Sequence, residues 1–293
     1  MRNIFLTSAL ALAVAAGAMA GQQAAAPKGQ TSAQPAQKPR APKTQAEAKA
    51  LQALFQATTP DAQIAAAEDF IAKFPKSDFK ALAFLGEAQG YLQKKDTEQV
   101  IVFGEQALDA NPDDGTKMQT LILMAQTLVA KTGEFDLDKE EKLAKVEKYT
   151  NGVSDMLKTM SKPNPALTDE QWDTAKADMT SDVHAVLAMD QMVRKNYDQA
   201  IVEFKTALEA TKTPEPATQV RLAVAYEKAG KFDEAIAVCT QVMAVPDVPV
   251  AIRQVAQAER ARAFQAKGGA KPAAAATPAP AATPSAPAAA PQP

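Results

Sequence analysis

The stretch DLDKEEKLAKVE places Asp136, Asp138, Glu140 and Glu147 at its first, third, fifth and twelfth positions. Oxygen ligands at those places could wrap a calcium ion. The sixth position is Glu141, where the tight turn of such a loop needs glycine. The same residues read as a charged helix, with Glu141 and Lys145 as an i,i+4 pair, and that reading is preferred. His184 is the single histidine and Cys239 the single cysteine. A histidine dyad, a multi-histidine metal site and a disulfide within the chain are thereby excluded. The sequence contains no phosphate-binding glycine loop, dinucleotide fingerprint, nucleophile elbow or metallopeptidase helix motif. The expectation is a protein that is not an enzyme, with no catalytic residue, no cofactor and no metal.

The elements that would position any site are helical. Hydrophobic residues make up 46% of the 293 residues and aromatics only 5%, which suits closely packed helices better than sheets. The chain starts with Arg2 and the apolar run IFLTSALALAVAAGA, followed by Ala18-Met19-Ala20. This is the pattern of a cleavable signal peptide over 1–20. Gly21 follows, not the cysteine a lipid anchor requires. Residues 21–43 hold Lys28, Lys38, Arg40 and Lys43 with no acid, and 267–293 hold Lys267 and Lys271 with no acid. Both segments lack apolar periodicity and read as disordered. With these six and Arg2 set aside, 25 of the 32 Lys+Arg face all 34 Asp+Glu in 44–266, a net of −9. An acidic body is a poor nucleic-acid binder. No second apolar run is long enough to span a membrane.

One pattern is written twice. KNYDQAIVEF (195–204) is answered by GKFDEAIAVC (230–239). Leu187, Ala188, Ala200, Phe204 and Ala207 align with Leu222, Ala223, Ala235, Cys239 and Val242, and Tyr226 follows Ala223 by three. Phe84, Ala88, Tyr91, Ala107 and Pro112 give a third copy, which departs at Glu87, Val100 and Gly104. This spacing resembles the tetratricopeptide repeat, a helix–turn–helix unit of about 34 residues. The resemblance implies an all-α, right-handed α-solenoid of about five helix pairs plus a C-terminal capping helix, flanked by the disordered tails. The pairs fall at about 44–77, 81–114, 116–160 (divergent), 168–213 and 216–248, with the cap at 250–266. On that cap, Ile252, Val255, Ala256 and Ala263 are expected inward, and Gln254, Glu259, Arg260 and Arg262 outward. Asp198 and Asp233 are expected to meet the free N–H groups at the start of their helices.

In this family the first helix of each pair lines a concave groove that binds peptides or proteins. Carried onto this sequence, the groove positions are Leu85, Gln89, Ala185, Met189, Met192, Val193, Val220, Val224, Glu227 and Lys228. The Lys/Asn set with which some relatives clamp a peptide carboxylate is absent. An apolar or helical segment is therefore the expected guest, with methionine supplying adaptability. AAAEDFIAKFPKSDFKALAFLGEAQGY (65–91) also resembles the exported branch found in cell-envelope assembly and division factors. These features together imply an exported scaffold, periplasmic or extracellular. The alternative is a structural envelope protein that self-associates and touches anionic polymers through its basic arms. If the signal peptide is processed as read, mass spectrometry of the protein recovered from the envelope or medium will find Gly21 at the N-terminus. An intact Met1 there would refute the cleavage.

Overall fold

The computed structural model describes residues 40–162 and 167–268. The signal peptide, most of both tails and the centre of SKPNP lie outside the described residues. Eleven α-helices and no strands occur among the described residues. In order they are α1 (Gln45–Gln56), α2 (Pro60–Lys73), α3 (Lys80–Gln93), α4 (Thr97–Asp109), α5 (Asp114–Lys131), α6 (Lys139–Thr159), α7 (Asp169–Val193), α8 (Tyr197–Ala210), α9 (Pro216–Lys228), α10 (Phe232–Ala244) and α11 (Val250–Ala266). Each helix packs on the next, and α3 on α5, α5 on α7 and α9 on α11. This is the contact pattern of five stacked pairs closed by one further helix.

Local sequence sets the starts and the turns. Thr44, Thr59, Asp96, Asp113 and Thr168 accept a hydrogen bond from the backbone N–H three residues on, filling an orphan donor at each helix start. Gln171 returns the bond to the backbone of Thr168 and completes a capping box. The turns inside three pairs share one geometry. Lys95, Lys195 and Gly230 have φ of 61°, 65° and 74°. The next residue in each case donates its N–H back across the helix end: Asp96 to the Tyr91 carbonyl, Asn196 to Gln191 and Lys231 to Tyr226, at 3.0, 2.8 and 2.8 Å. This is a Schellman closure. Gly268, at φ 76°, follows α11 in the same way.

The core is a chain of small clusters, each bridging neighbouring helices. Leu51, Leu54, Ala67, Phe70 and Phe79 hold the first pair to α3. Leu85, Ala88, Val100 and Ala107 join α3 and α4, with Leu123 entering from α5. Met118, Ile122, Val153, Trp172 and Met179 join α5, α6 and α7. Ala200, Phe204, Leu222 and Ala225 join α8 to α9, and Val220, Cys239, Val242, Val248 and Ala256 anchor α11.

The departures of the 81–114 copy have physical compensations. Gly104 stands where an aromatic is usual, and a Cβ there would lie 2.7 Å from Met124 Cγ. Met124 is fully buried, so α5 supplies the bulk that α4 lacks. The aromatic has moved one place: Phe103 stacks on Tyr91 with ring centroids 5.3 Å apart. Gly90 lets α3 close on α2, since its Cβ would meet Ile64 Cγ1 at 2.6 Å and the Pro60 carbonyl oxygen at 3.2 Å. Glu87, in place of leucine, is 2% exposed, and its Oε2 has no hydrogen-bond partner. Burial, with the nearby Glu68 carboxylate, raises its pKa to about 7.

Three expectations are corrected. Val255 is exposed, while Glu259 is buried and ion-paired to Arg262 at 2.9 Å. The apolar face of α11 is therefore rotated from the one read in the sequence, with Ala256 and Ala263 at its centre. Asp198 lies in the first turn of α8, as expected, at the positive end of the helix dipole, but it makes no cap bond: α8 has Asn196 at its N-cap and no side-chain cap bond. Its carboxylate lies 2.7 Å from Lys231, and Asp233 pairs in the same way with Lys267. Finally, the end of the expected basic linker is docked. Arg40 donates to the carbonyls of Asp78 (2.7 Å) and Asn111 (3.0 Å), and Lys43 pairs with Asp78 at 3.0 Å.

Two outcomes follow from these contacts. Replacing Gly90 by Ala gains helix propensity of about 0.5–1 kcal/mol but overpacks α2 against α3, at about 1–3 kcal/mol. The net is a loss of about 1 kcal/mol, read as a lower urea midpoint, and an unchanged or raised midpoint would refute the close approach. Glu87 has a folded pKa of about 7 against an ordinary 4.5, so the folded state favours its proton. That contribution is full below pH 4.5 and is lost as pH rises through 7. Glu87→Gln is expected to stabilise the protein by roughly 1–2 kcal/mol at about pH 8, after allowance for screening. At about pH 4 it is expected to change little. Equal effects at both pH values would show that Glu87 is not the titrating group.

Candidate binding surface

The ten groove positions divide into groups. Leu85 is 1% exposed and packs with Val100 and Leu123, and Val220 is buried against α10 and α11. These two belong to cores, because α3 and α9 each turn those positions toward the next helix of the stack; they offer a guest no side chain. Gln89 is half-buried and accepts from Gln63 Nε2 at 3.2 Å, while Gln93 donates to Gln63 at 3.1 Å. Its amide is engaged with α2. Ala185, Met189, Met192 and Val193 are half-buried along α7. Met189 and Val193 pack against Val129, Leu143 and Val146, and Met189 and Met192 against Ala188, Phe204 and Leu222. Val224 is half-buried, Glu227 half-buried and Lys228 exposed on α9. The exposed remainder of these residues forms a broken apolar strip along α7 and α9.

Glu227 has a neighbour that sequence reading missed. Glu259 of α11 lies beside it, and burial first, then the Glu227 charge, raises the Glu259 pKa against the pull of Arg262 and Lys228. Nothing in the local sequence of α11 signals this contact, since it depends on which face α11 turns to α9.

Other candidates resolve into structure. Cys239 is fully buried, and burial with the Glu259 charge pushes its thiol up to about 11. Such a thiol is a poor nucleophile. His184 Nδ1 lies 2.7 Å from Glu203 Oε2, tying α7 to α8. Asp182, beside Glu215 and Asp178, is raised to about 7, chiefly by desolvation. The calcium-like spacing is dispersed. Asp136 accepts from the Gly133 N–H at 3.0 Å and pairs with Lys142 at 2.9 Å, and Asp138 pairs with the same lysine at 2.8 Å. Glu140 and Glu147 pair instead with Arg194, at 2.8 and 2.9 Å. Arg194 also holds the fully buried Asp190 at 2.9 Å. One guanidinium thus fastens α7 to α6 through the two carboxylates of Glu140 and Glu147, while neutralising Asp190 on its own helix.

The strongest regularity is a line of ion pairs along the turn edge. Asp61 pairs with Lys94, Glu98 with Lys131, Glu134 with Lys195, Asp198 with Lys231 and Asp233 with Lys267. The partners are 33, 33, 61, 33 and 34 residues apart. Four of the five are therefore one repeat apart, and the long one crosses the divergent pair. Each joins the start of one pair's second helix, or its turn, to the turn of the following pair. The acids were visible in the sequence, but their partners were not, because four lie a whole repeat away and the fifth 61 residues away.

No protein-family model matches the chain, and no curated protein matches it. Among solved structures, a thermophilic TPR protein of Thermus thermophilus is similar, with 18% identity, a TM-score of 0.48, and coverage of 73% of this chain and 98% of that one. Helix pairs, three of them closed by the same left-handed turn, stacked in order and bridged in four places at a spacing of 33 or 34 residues, give this chain a tetratricopeptide-like helical repeat fold.

Proposed function

We propose that the protein is an exported, non-enzymatic scaffold that binds a protein or peptide partner through the face formed by the first helices of its pairs, in assembly or maintenance of the cell envelope. The observation carrying this is the strip of Met189, Met192, Val193 and Val224, half-buried side chains on α7 and α9 that keep apolar surface in contact with solvent. Stacked helix pairs build extended surfaces of this kind, and such arrays act as interaction scaffolds. Methionine lets one surface fit guests of more than one shape. An amphipathic helix is the guest that matches, since its anchors recur every three or four residues. The basic segments before Arg40 and after Lys267 would contact anionic envelope polymers, an attraction that salt screens. The signal-peptide pattern supports export.

A photoreactive residue at Val224, the position least involved in the core clusters, tests this in the native envelope of the source cell. The expected product is one abundant cross-linked protein, lost when Met192 is also replaced by Glu in a chain whose circular dichroism is unchanged. Cross-linking that survives Met192→Glu, or no product at all, would overturn the reading.

A further inference from the structure

The turn between α5 and α6 carries two large apolar side chains with no packing role. Phe135 is 87% exposed and Leu137 is fully exposed. They are not on a slack loop. Asp136 between them accepts from the Gly133 N–H and from Lys142, Glu134 is tied to Lys195, and Asp138 to Lys142. The loop is held at both ends and in the middle, so both side chains are presented at little further cost in conformational entropy. A monomer gains nothing from such a display, and rigid apolar anchors of this kind mark contact sites.

A matching recess lies on the same helix pair. A cleft of about 430 Å³ opens between the α4–α5 connection and the second half of α6. Leu108, Pro112, Leu121 and Tyr149 give it apolar walls, and Lys117 and Lys148 stand at its rim. Gly152 keeps one wall low, since a Cβ there would touch only Leu121 Cδ1, at 3.6 Å. Both lysines are exposed, and neither makes an ion pair among the described residues. The loop 134–138 carries three carboxylates and no cation of its own, and Lys142 and Lys195 reach in to pair with them. With three carboxylates against these two lysines, the doubly apolar tip keeps a net charge of −1, and a lysine-rimmed apolar cleft is its chemical complement. The loop cannot fold back into its own cleft. Leu121 and Tyr149 each lie about ten residues of continuous helix from it, about 15 Å at 1.5 Å per residue.

We propose that the loop bearing Phe135 and Leu137 inserts into the Leu108–Tyr149 cleft of a second copy of this chain. The contact is heterologous, tip to cleft, so each bound copy leaves one tip and one cleft free, and assembly proceeds by head-to-tail growth. One loop in one cleft buries a small area, so the association is weak and depends on concentration. It is separate from the strip on α7 and α9 and does not depend on it.

Sedimentation velocity of the full chain, from about 5 to about 500 µM, tests the contact in the range expected for so small an interface. The expected result is a weight-average mass that climbs past the dimer. The double substitution Phe135→Ser, Leu137→Ser removes the tip, and Lys148→Glu reverses the rim. All three positions are exposed, so the fold should be retained, which circular dichroism checks. Each variant alone is expected to stay monomeric, with affinity weakened at least about tenfold. An equimolar mixture of the two is expected to form a 1:1 dimer and nothing larger, because one still has its cleft and the other its tip. A wild-type monomer at every concentration, self-association undiminished in the tip variant, or a mixture that fails to dimerise would each overturn the assignment.

Discussion

A helix pair of this chain leaves one apolar face uncovered until the next pair lies on it, and the rest of the architecture follows from that deficit. The clusters show it directly: Leu123 of α5 completes the core of α3 and α4, and Leu222 and Ala225 of α9 complete that of α8. No cluster is confined to one helix pair, so no single pair has a core large enough to stand alone. α11 covers the last open face, and its alanines allow a close approach where a larger side chain would hold it off. Its end, Lys267 and Gly268, has the turn geometry and the ion pair of an ordinary first helix. By construction, then, the closing helix is the first half of one more repeat.

Apolar stacking is not directional, so something must fix how far one pair turns against the next. The turn-edge ion pairs are placed to do this. They are exposed, hence individually weak and screened by salt, and their value lies in registry. A lysine one repeat downstream reaches its acid only when the second pair sits at one rotation and offset. The same Schellman turn, with its residue in the left-handed region, presents Lys94, Lys195 and Lys231 at the same corner. Lys95 and Lys195 accept an unfavourable backbone there, whereas Gly230 does so freely.

The regular parts of this design were legible in the sequence because their signals are local. Alanine and aromatic spacing marks the helix faces, and capping residues mark the starts. Two nearly identical copies betray the period. What escaped depends on contacts between distant segments. Gly104 reads as a defect until Met124, in the following helix, is seen to fill its place. The face that α11 buries was misjudged because Glu259 is polar in sequence but meets Glu227 and Arg262 in space. The binding strip was legible as a set of helix positions, but Leu85 and Val220 were not separable from it without knowing how the next helix lies.

The divergent centre is where the chain departs furthest from its own rule, and the departures have a common direction. α6 and α7 are the longest helices, of 21 and 25 residues. Stacking alone would not align such lengths, and here the polar links are densest: Arg194 clamps α6 through Glu140 and Glu147 and holds the buried Asp190. Burial raises the Asp190 carboxyl, and the Arg194 hydrogen bond opposes that shift. Breaking the clamp would leave a buried, unpaired group, which costs far more than an exposed pair returns. The centre is therefore stiffened by polar contacts, while the flanks rely on repeat packing. Beside this centre the α5–α6 turn, 132–138, is long enough to carry Phe135 and Leu137 into solvent. The tight turn of a regular pair, such as 94–96 between α3 and α4, has no room for such a projection.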